Sequence, residues 1–129
     1  MNSRKATAVA MSIIGYITSI PVFCDSGFVI LSALNKSLSK KSGVSMAVMA
    51  TALATGLYAT HTLVPPTPGP IAAANNLHAD LGTVIFVGLM VAIPVTIAGY
   101  LWATKFASRY ELLAESAVSY EELLEKFKN

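Results

Sequence analysis

Between residues 6 and 104 the chain carries only five charged side chains: Asp25, Lys36, Lys40, Lys41 and Asp80. Residues 44–64 and 81–104 carry none apart from neutral histidine. As helices rising about 1.5 Å per residue, both runs are long enough to cross a hydrocarbon core of about 30 Å. Lipid cannot satisfy backbone amides and carbonyls, so spanning segments of this kind must be helical or form a closed barrel. Composition agrees: 12% of the 129 residues are charged and 54% are hydrophobic, whereas a soluble domain carries about 25% charge. The expected fold class is an all-α integral membrane protein.

Residues 6–35 form a third apolar stretch, interrupted by Asp25 alone. A single helix would be about 45 Å long and two equal legs about 22 Å each, which suits neither one crossing nor two. The interruption "IPVFCDSG" holds Pro21, which lacks an amide donor, and Gly27, which relaxes the backbone. A re-entrant hairpin or strongly broken helix is therefore expected over 6–35. Arg4 and Lys5 before an apolar run imitate a secretion signal. No small-x-small cleavage site follows, however, and Phe23 before Cys24 spoils a lipoprotein site, so the segment is expected to be retained.

The basic residues supply the orientation. Arg4 and Lys5, then Lys36, Lys40 and Lys41 in a polar loop expected at 36–43, then Lys105 and Arg109 form three clusters. One hairpin and two spans place all three on one side, which the positive-inside bias makes cytoplasmic. This topology explains the basic residues without any nucleic-acid partner; the partner they imply is the bilayer. The membrane part is expected to cover 1–106. Beyond it, residues 107–129 place Leu112, Leu113, Val118, Leu123, Leu124 and Phe127 at helical spacing among five glutamates. Ser119 followed by Glu122 is a capping-box pattern, so a helical cytoplasmic tail or linker is expected there.

Between the two spans, residues 65–79 contain "PPTPGP", four prolines and a glycine in six positions. A short helix is expected from Ile71, since Pro70 suits the first helical position. Backbone broken at membrane depth survives only where protein or a water-filled cavity surrounds it, and transporters bind substrates at such breaks. The amides of a half-helix start favour a carboxylate. In the hairpin, Asp25 or Ser26 is expected to cap the helix that follows.

The candidate contacts for substrate or protons are therefore Asp25, Ser26 and Gly27 at the hairpin tip, His61 before the break, and Thr67, Gly69 and Asn75 within or after it. Thr67 offers a hydroxyl, and Gly69 allows close backbone approach. Asp25 is read either as a proton-coupling carboxylate or as a cap. His61 is read either as a proton relay or ligand or as a structural histidine. An ordinary exposed loop is the alternative for the prolines.

Small residues at 47, 51, 55 and 59, flanked by Ala50 and Ala54, mark residues 44–64 as a helix that packs against other helices. His61 and His78 stand seventeen positions apart with no Cys/His cluster, so no metal is expected. Nor does the chain carry a phosphate loop or hydrolytic nucleophile motif, so neither a cofactor nor an enzyme activity is expected. Cys24 is the single cysteine and permits no internal disulfide.

"SIPVFCDSGFVIL" and "THTLVPPTPGPIAAANNLHADLGTVIFVGLMVAIP" together resemble the gluconate permease (GntP) family of sugar-acid and hydroxy-acid symporters. The resemblance covers residues 12–104. It implies a multi-pass protein of the bacterial inner membrane that imports gluconate or a related organic acid with protons; some relatives handle D-serine. The wider superfamily uses re-entrant hairpins and broken helices. Members of the family are several times longer and built as two related halves. The chain is therefore expected to be a fragment, partnered by the remaining half of the transporter or by further copies. The alternative is a small standalone membrane subunit or assembly protein without transport activity of its own.

Overall fold

Prolines follow two of the helix ends. In the computed structural model, which describes residues 3–110, helix α1 spans Ser3–Thr18 and ends just before Pro21. Helix α2 spans Cys24–Ser42, α3 spans Met46–Leu63, and Pro65 and Pro66 follow at once. Helix α4 covers Pro68–Asn76 and α5 covers Leu81–Lys105, and a single 3-10 turn, Ala107–Arg109, comes last. The expected tail helices at 111–129 lie outside the described residues.

The two long apolar segments match the expected spans. Met46–Asn76, which contains α3, and Leu81–Arg109, which contains α5, are long and apolar enough to cross a membrane. Asp80 caps α5: its carboxylate accepts from the Thr83 amide at 2.8 Å and from the Thr83 hydroxyl at 3.0 Å. The backbone bond, then the side-chain bond, hold this carboxyl below the usual carboxylate range. The cap is thus present above that range and is lost as pH falls through the lowered value.

The first two helices run antiparallel. The Arg4 guanidinium lies 3.4 Å from where a Gly43 Cβ would stand, so α1 begins where α2 ends. Their legs are 16 and 19 residues, about 24 and 28 Å. Two sequence expectations are corrected here. The basic stretch 36–43 is not a loop but the last turns of α2, where Lys40 and Lys41 face the negative end of the helix dipole. Gly43 stops the helix in the left-handed region at φ 68°, its amide bonded to the Ser39 carbonyl at 2.9 Å. Gly27 does not loosen the turn either; it is buried within α2, where a Cβ would stand 2.9 Å from the Leu57 side chain.

Helix α3 lies at the centre and touches every other helix. It runs parallel to α1, and the two backbones nearly meet. A Cβ on Gly15 would stand 2.7 Å from the Leu53 carbonyl oxygen, and one on Gly56 would strike the Ser12 carbonyl. Interhelical bonds accompany the approach: Ser12 Oγ donates to the Ala52 carbonyl at 3.3 Å, and Thr60 Oγ1 to the Tyr16 carbonyl at 3.0 Å. On its other side, Gly88 of α5 presses on the Leu63 carbonyl and Gly99 on the Thr55 side chain. The small-residue stripe thus does mark a packing helix, with Thr55 at a closest contact.

Met11, Met49, Leu53 and Leu57 fill the core between α1, α2 and α3. Since backbone rather than a movable side chain opposes Gly56, Gly56→Val is expected to lower stability by about 1–3 kcal/mol through overpacking. Thermal unfolding in detergent measures this, and an unchanged midpoint would refute the close α1–α3 contact.

Candidate functional site

The candidate residues at the hairpin tip come together with one of those near the proline break. Phe23, in the turn that starts α2, meets His61 of α3 edge-on, with ring centroids 6.0 Å apart and planes at 65°. Gly27 packs on Leu57 one helical turn below. The tip of the α1–α2 hairpin therefore reaches the last turn of α3.

The start of α2 is open. Its N-cap residue is Phe23, so no side chain caps the helix; the expectation that Asp25 or Ser26 does so is corrected. Gly27 N–H donates to the Phe23 carbonyl at 2.8 Å, while the amides of Cys24, Asp25 and Ser26 find no acceptor among the described residues. Asp25 and Ser26 are exposed on this first turn. A carboxylate beside three free amides and the positive dipole end is electrostatically favoured there.

Two further polar atoms at this level are buried without a hydrogen bond: the Nδ1 of His61 and the hydroxyl of Ser19. Ser19 is 2% exposed and closes α1, one turn beyond Tyr16, whose carbonyl takes the Thr60 hydroxyl. A buried polar group left unpaired costs about 1–3 kcal/mol, and such orphans are rare in folded proteins. Sequence reasoning missed Ser19, because a serine in an apolar run carries no distinguishing pattern. It missed Tyr16 too, whose hydroxyl donates to the Leu89 carbonyl of α5 at 2.6 Å and ties the hairpin to the second span.

The proline break differs in detail from expectation. Thr67 is buried, and its hydroxyl donates to the Val64 carbonyl at 2.9 Å, so it faces the fold and is already engaged. Helix α4 starts at Pro68 rather than Ile71. Pro68 and Pro70 have no amide hydrogen, and Ile71 N–H donates to the Thr67 carbonyl at 3.3 Å. Only the Gly69 amide is left, so this helix start is a poorer anion site than that of α2. Gly69 is exposed, and a Cβ there would meet nothing within 4 Å. Asn75 and His78 are exposed at the end of α4, which rests against α3 and α5.

An open groove of about 810 Å³ runs beside the α3–α5 contact, lined by Cys24, Thr55, Tyr58, Thr62, Gly99 and Trp102. Its walls are almost wholly apolar, so it suits hydrocarbon or another helix, not a polyhydroxy acid. Among the described residues no three His, Cys, Asp or Glu side chains cluster as metal ligands do.

An all-helical bundle with two apolar spans, a broken element beside one of them and unpaired polar atoms at their junction defines an integral membrane protein. The profile of the GntP family permease matches residues 1–129, and the chain belongs to that family. A permease of Haemophilus influenzae is 36% identical over 127 residues, covering 98% of this chain and 26% of the relative. A gluconate permease of Zymomonas mobilis is 37% identical over 108 residues, 83% of this chain and 24% of the relative. A D-serine transporter of Escherichia coli is 40% identical over 91 residues, 70% of this chain and 20% of the relative. The chain thus spans about a quarter of the length of the curated relatives it matches. No solved structure matches it.

Proposed function

We propose that the chain is part of a proton-coupled permease for gluconate or a related organic acid in the bacterial inner membrane. In this reading the α1–α2 hairpin is re-entrant, and its tip forms, with the end of α3, one wall of the substrate site. The observations that carry it are two buried, unpartnered atoms, Ser19 Oγ after α1 and His61 Nδ1 on α3, the open amides of Cys24, Asp25 and Ser26 at the start of α2, and the Phe23–His61 contact that joins the hairpin tip to α3. In a membrane such groups need partners, and a hydroxylated carboxylate supplies both an anion for the amides and hydroxyls for the orphans. Asp25 gives the coupling. Its carboxylate and the substrate carboxylate repel each other at the same amides unless a proton enters with the acid.

The test is a chimera in which residues 1–129 replace the matching quarter of the Zymomonas mobilis gluconate permease. Gluconate uptake into vesicles driven by an inward proton gradient is the expected result. Correct insertion without any uptake would remove the assignment and favour a subunit that does not itself transport.

The same reading fixes orientation. With Cys24 removed, cysteines placed at Lys40 and Ser108 are expected to be shielded from an impermeant thiol reagent added outside, while one at Asn76 is labelled. Lys40 lies at the basic end of the bundle and Asn76 at the end of α4, beyond the break. Labelling at position 40 from outside would invert the topology.

A further inference from the structure

Pro94 interrupts α5 without ending it. It has no amide hydrogen, so the Met90 carbonyl loses its partner in the next turn, and the proline ring crowds that carbonyl. Thr96 Oγ1 donates to the Ala92 carbonyl at 2.8 Å, a back-bond that loosens the same turns further. Helices bend at such places. Pro94 is exposed, so its ring is not needed to fill the bundle.

Each half of α5 has its own anchor on α3. Residues 95–105 are held where Gly99 lies on the Thr55 side chain. Residues 81–93 are held where Gly88 lies on the carbonyl of Leu63, in the last turn of α3, the turn that carries His61. This outer half has a second anchor on α1: the Tyr16 hydroxyl donates to the Leu89 carbonyl at 2.6 Å. Tyr16 is itself fixed, since its own carbonyl accepts the Thr60 hydroxyl of α3 at 3.0 Å. A carbonyl has two lone pairs, and within the helix that of Leu89 also serves the Ile93 amide, so release of the tyrosine hydroxyl orphans no group of α5.

We propose that residues 81–93 form a gate over the end of α3, hinged at Pro94 and latched by Tyr16. Latched, the half-helix packs on the turn that carries His61. Released, it pivots at Pro94 while residues 95–105 stay on Thr55. A neutral hydroxyl bond is weak enough that the two forms differ in population, and neither excludes the other. The use of this motion in transport rests on the permease reading, because the gate lies over the wall assigned there to the substrate. The hinge and the latch do not rest on it.

The test is double electron–electron resonance on the 129-residue chain in lipid nanodiscs, with Cys24→Ser. One sample carries spin labels at two exposed positions, Ile13→Cys on α1 and Val87→Cys on the outer half of α5. A second pairs Ile13→Cys with Leu101→Cys on the inner half, also exposed. Tyr16→Phe keeps the ring and removes the latch. The long-distance share of the 13–87 pair is expected to rise about two- to tenfold, with the 13–101 pair unchanged. Adding Pro94→Ala restores the backbone bond at Met90 and is expected to reverse most of that rise. A 13–87 distribution that Tyr16→Phe leaves unchanged would overturn the latch. Equal shifts in both pairs would show the whole helix leaving α3 and overturn the hinge, as would a rise that Pro94→Ala does not reduce. No ligand or uptake enters these readouts, so the gate can fail while the permease reading stands, and the reverse.

Discussion

Asp25→Asn is expected to uncouple uptake from the proton gradient while leaving the fold intact. Asp25 is exposed on the first turn of α2 and makes no hydrogen bond within the described residues, so its removal breaks no structural contact. What it contributes is charge at the positive end of a 19-residue helix, beside three unpaired amides. On the proposed reading, a substrate anion arriving there would meet a like charge until Asp25 is protonated, and that requirement would couple anion to proton. Asparagine has the shape of the protonated acid but exchanges no proton. In the chimeric permease, gradient-driven accumulation should fall by at least about tenfold, equivalent to about 1.4 kcal/mol, while exchange of labelled for unlabelled gluconate persists. Accumulation with wild-type dependence on the imposed pH difference would reduce Asp25 to a favourable charge at a helix start.

Uncharged length is what made α3 and α5 legible: both helices sit within a residue or two of runs that contain no charge. Pro21 likewise located the hairpin turn. The end of α2 was misread because polarity and loop conformation are different properties. Serines and lysines tolerate helix, Lys40 and Lys41 suit its negative end, and the real stop is Gly43.

The site was legible only in part. His61 and the Asp25–Gly27 turn stand out because a titratable group in an apolar run is unusual. Which of them meet, however, depends on how α1 lies against α3. That register is set by Gly15 and Gly56, whose partners are the Leu53 and Ser12 carbonyls on the other helix, and no local pattern encodes it. Thr67 shows the converse: its type and position suggested a ligand, and a local bond to the Val64 carbonyl holds its hydroxyl inside the fold.

His61→Leu separates a structural histidine from one that serves a ligand, because the two roles predict opposite signs. If His61 belongs to the fold alone, replacing it should destabilise the protein, as core changes usually do. In this structure Nδ1 is buried with no acceptor or donor, and the ring touches the apolar Phe23. Replacing such a group by an apolar one removes an unpaid desolvation penalty, so the melting temperature is expected to hold or rise. Binding should move the other way. A hydrogen bond to a charged partner contributes about 1.5–3 kcal/mol, so the apparent KM for gluconate in the chimera should rise roughly ten- to a hundredfold. Ser19→Ala, at the second orphaned atom, should repeat the pattern more weakly, with unchanged stability and a several-fold rise, because a neutral hydroxyl contributes only about 0.5–1.5 kcal/mol. Measuring both variants by thermal unfolding and by uptake over a range of gluconate concentrations decides the matter. A lowered melting temperature with unchanged KM in either variant would mean that its polar atom finds its partner within the protein, and that residue would leave the site.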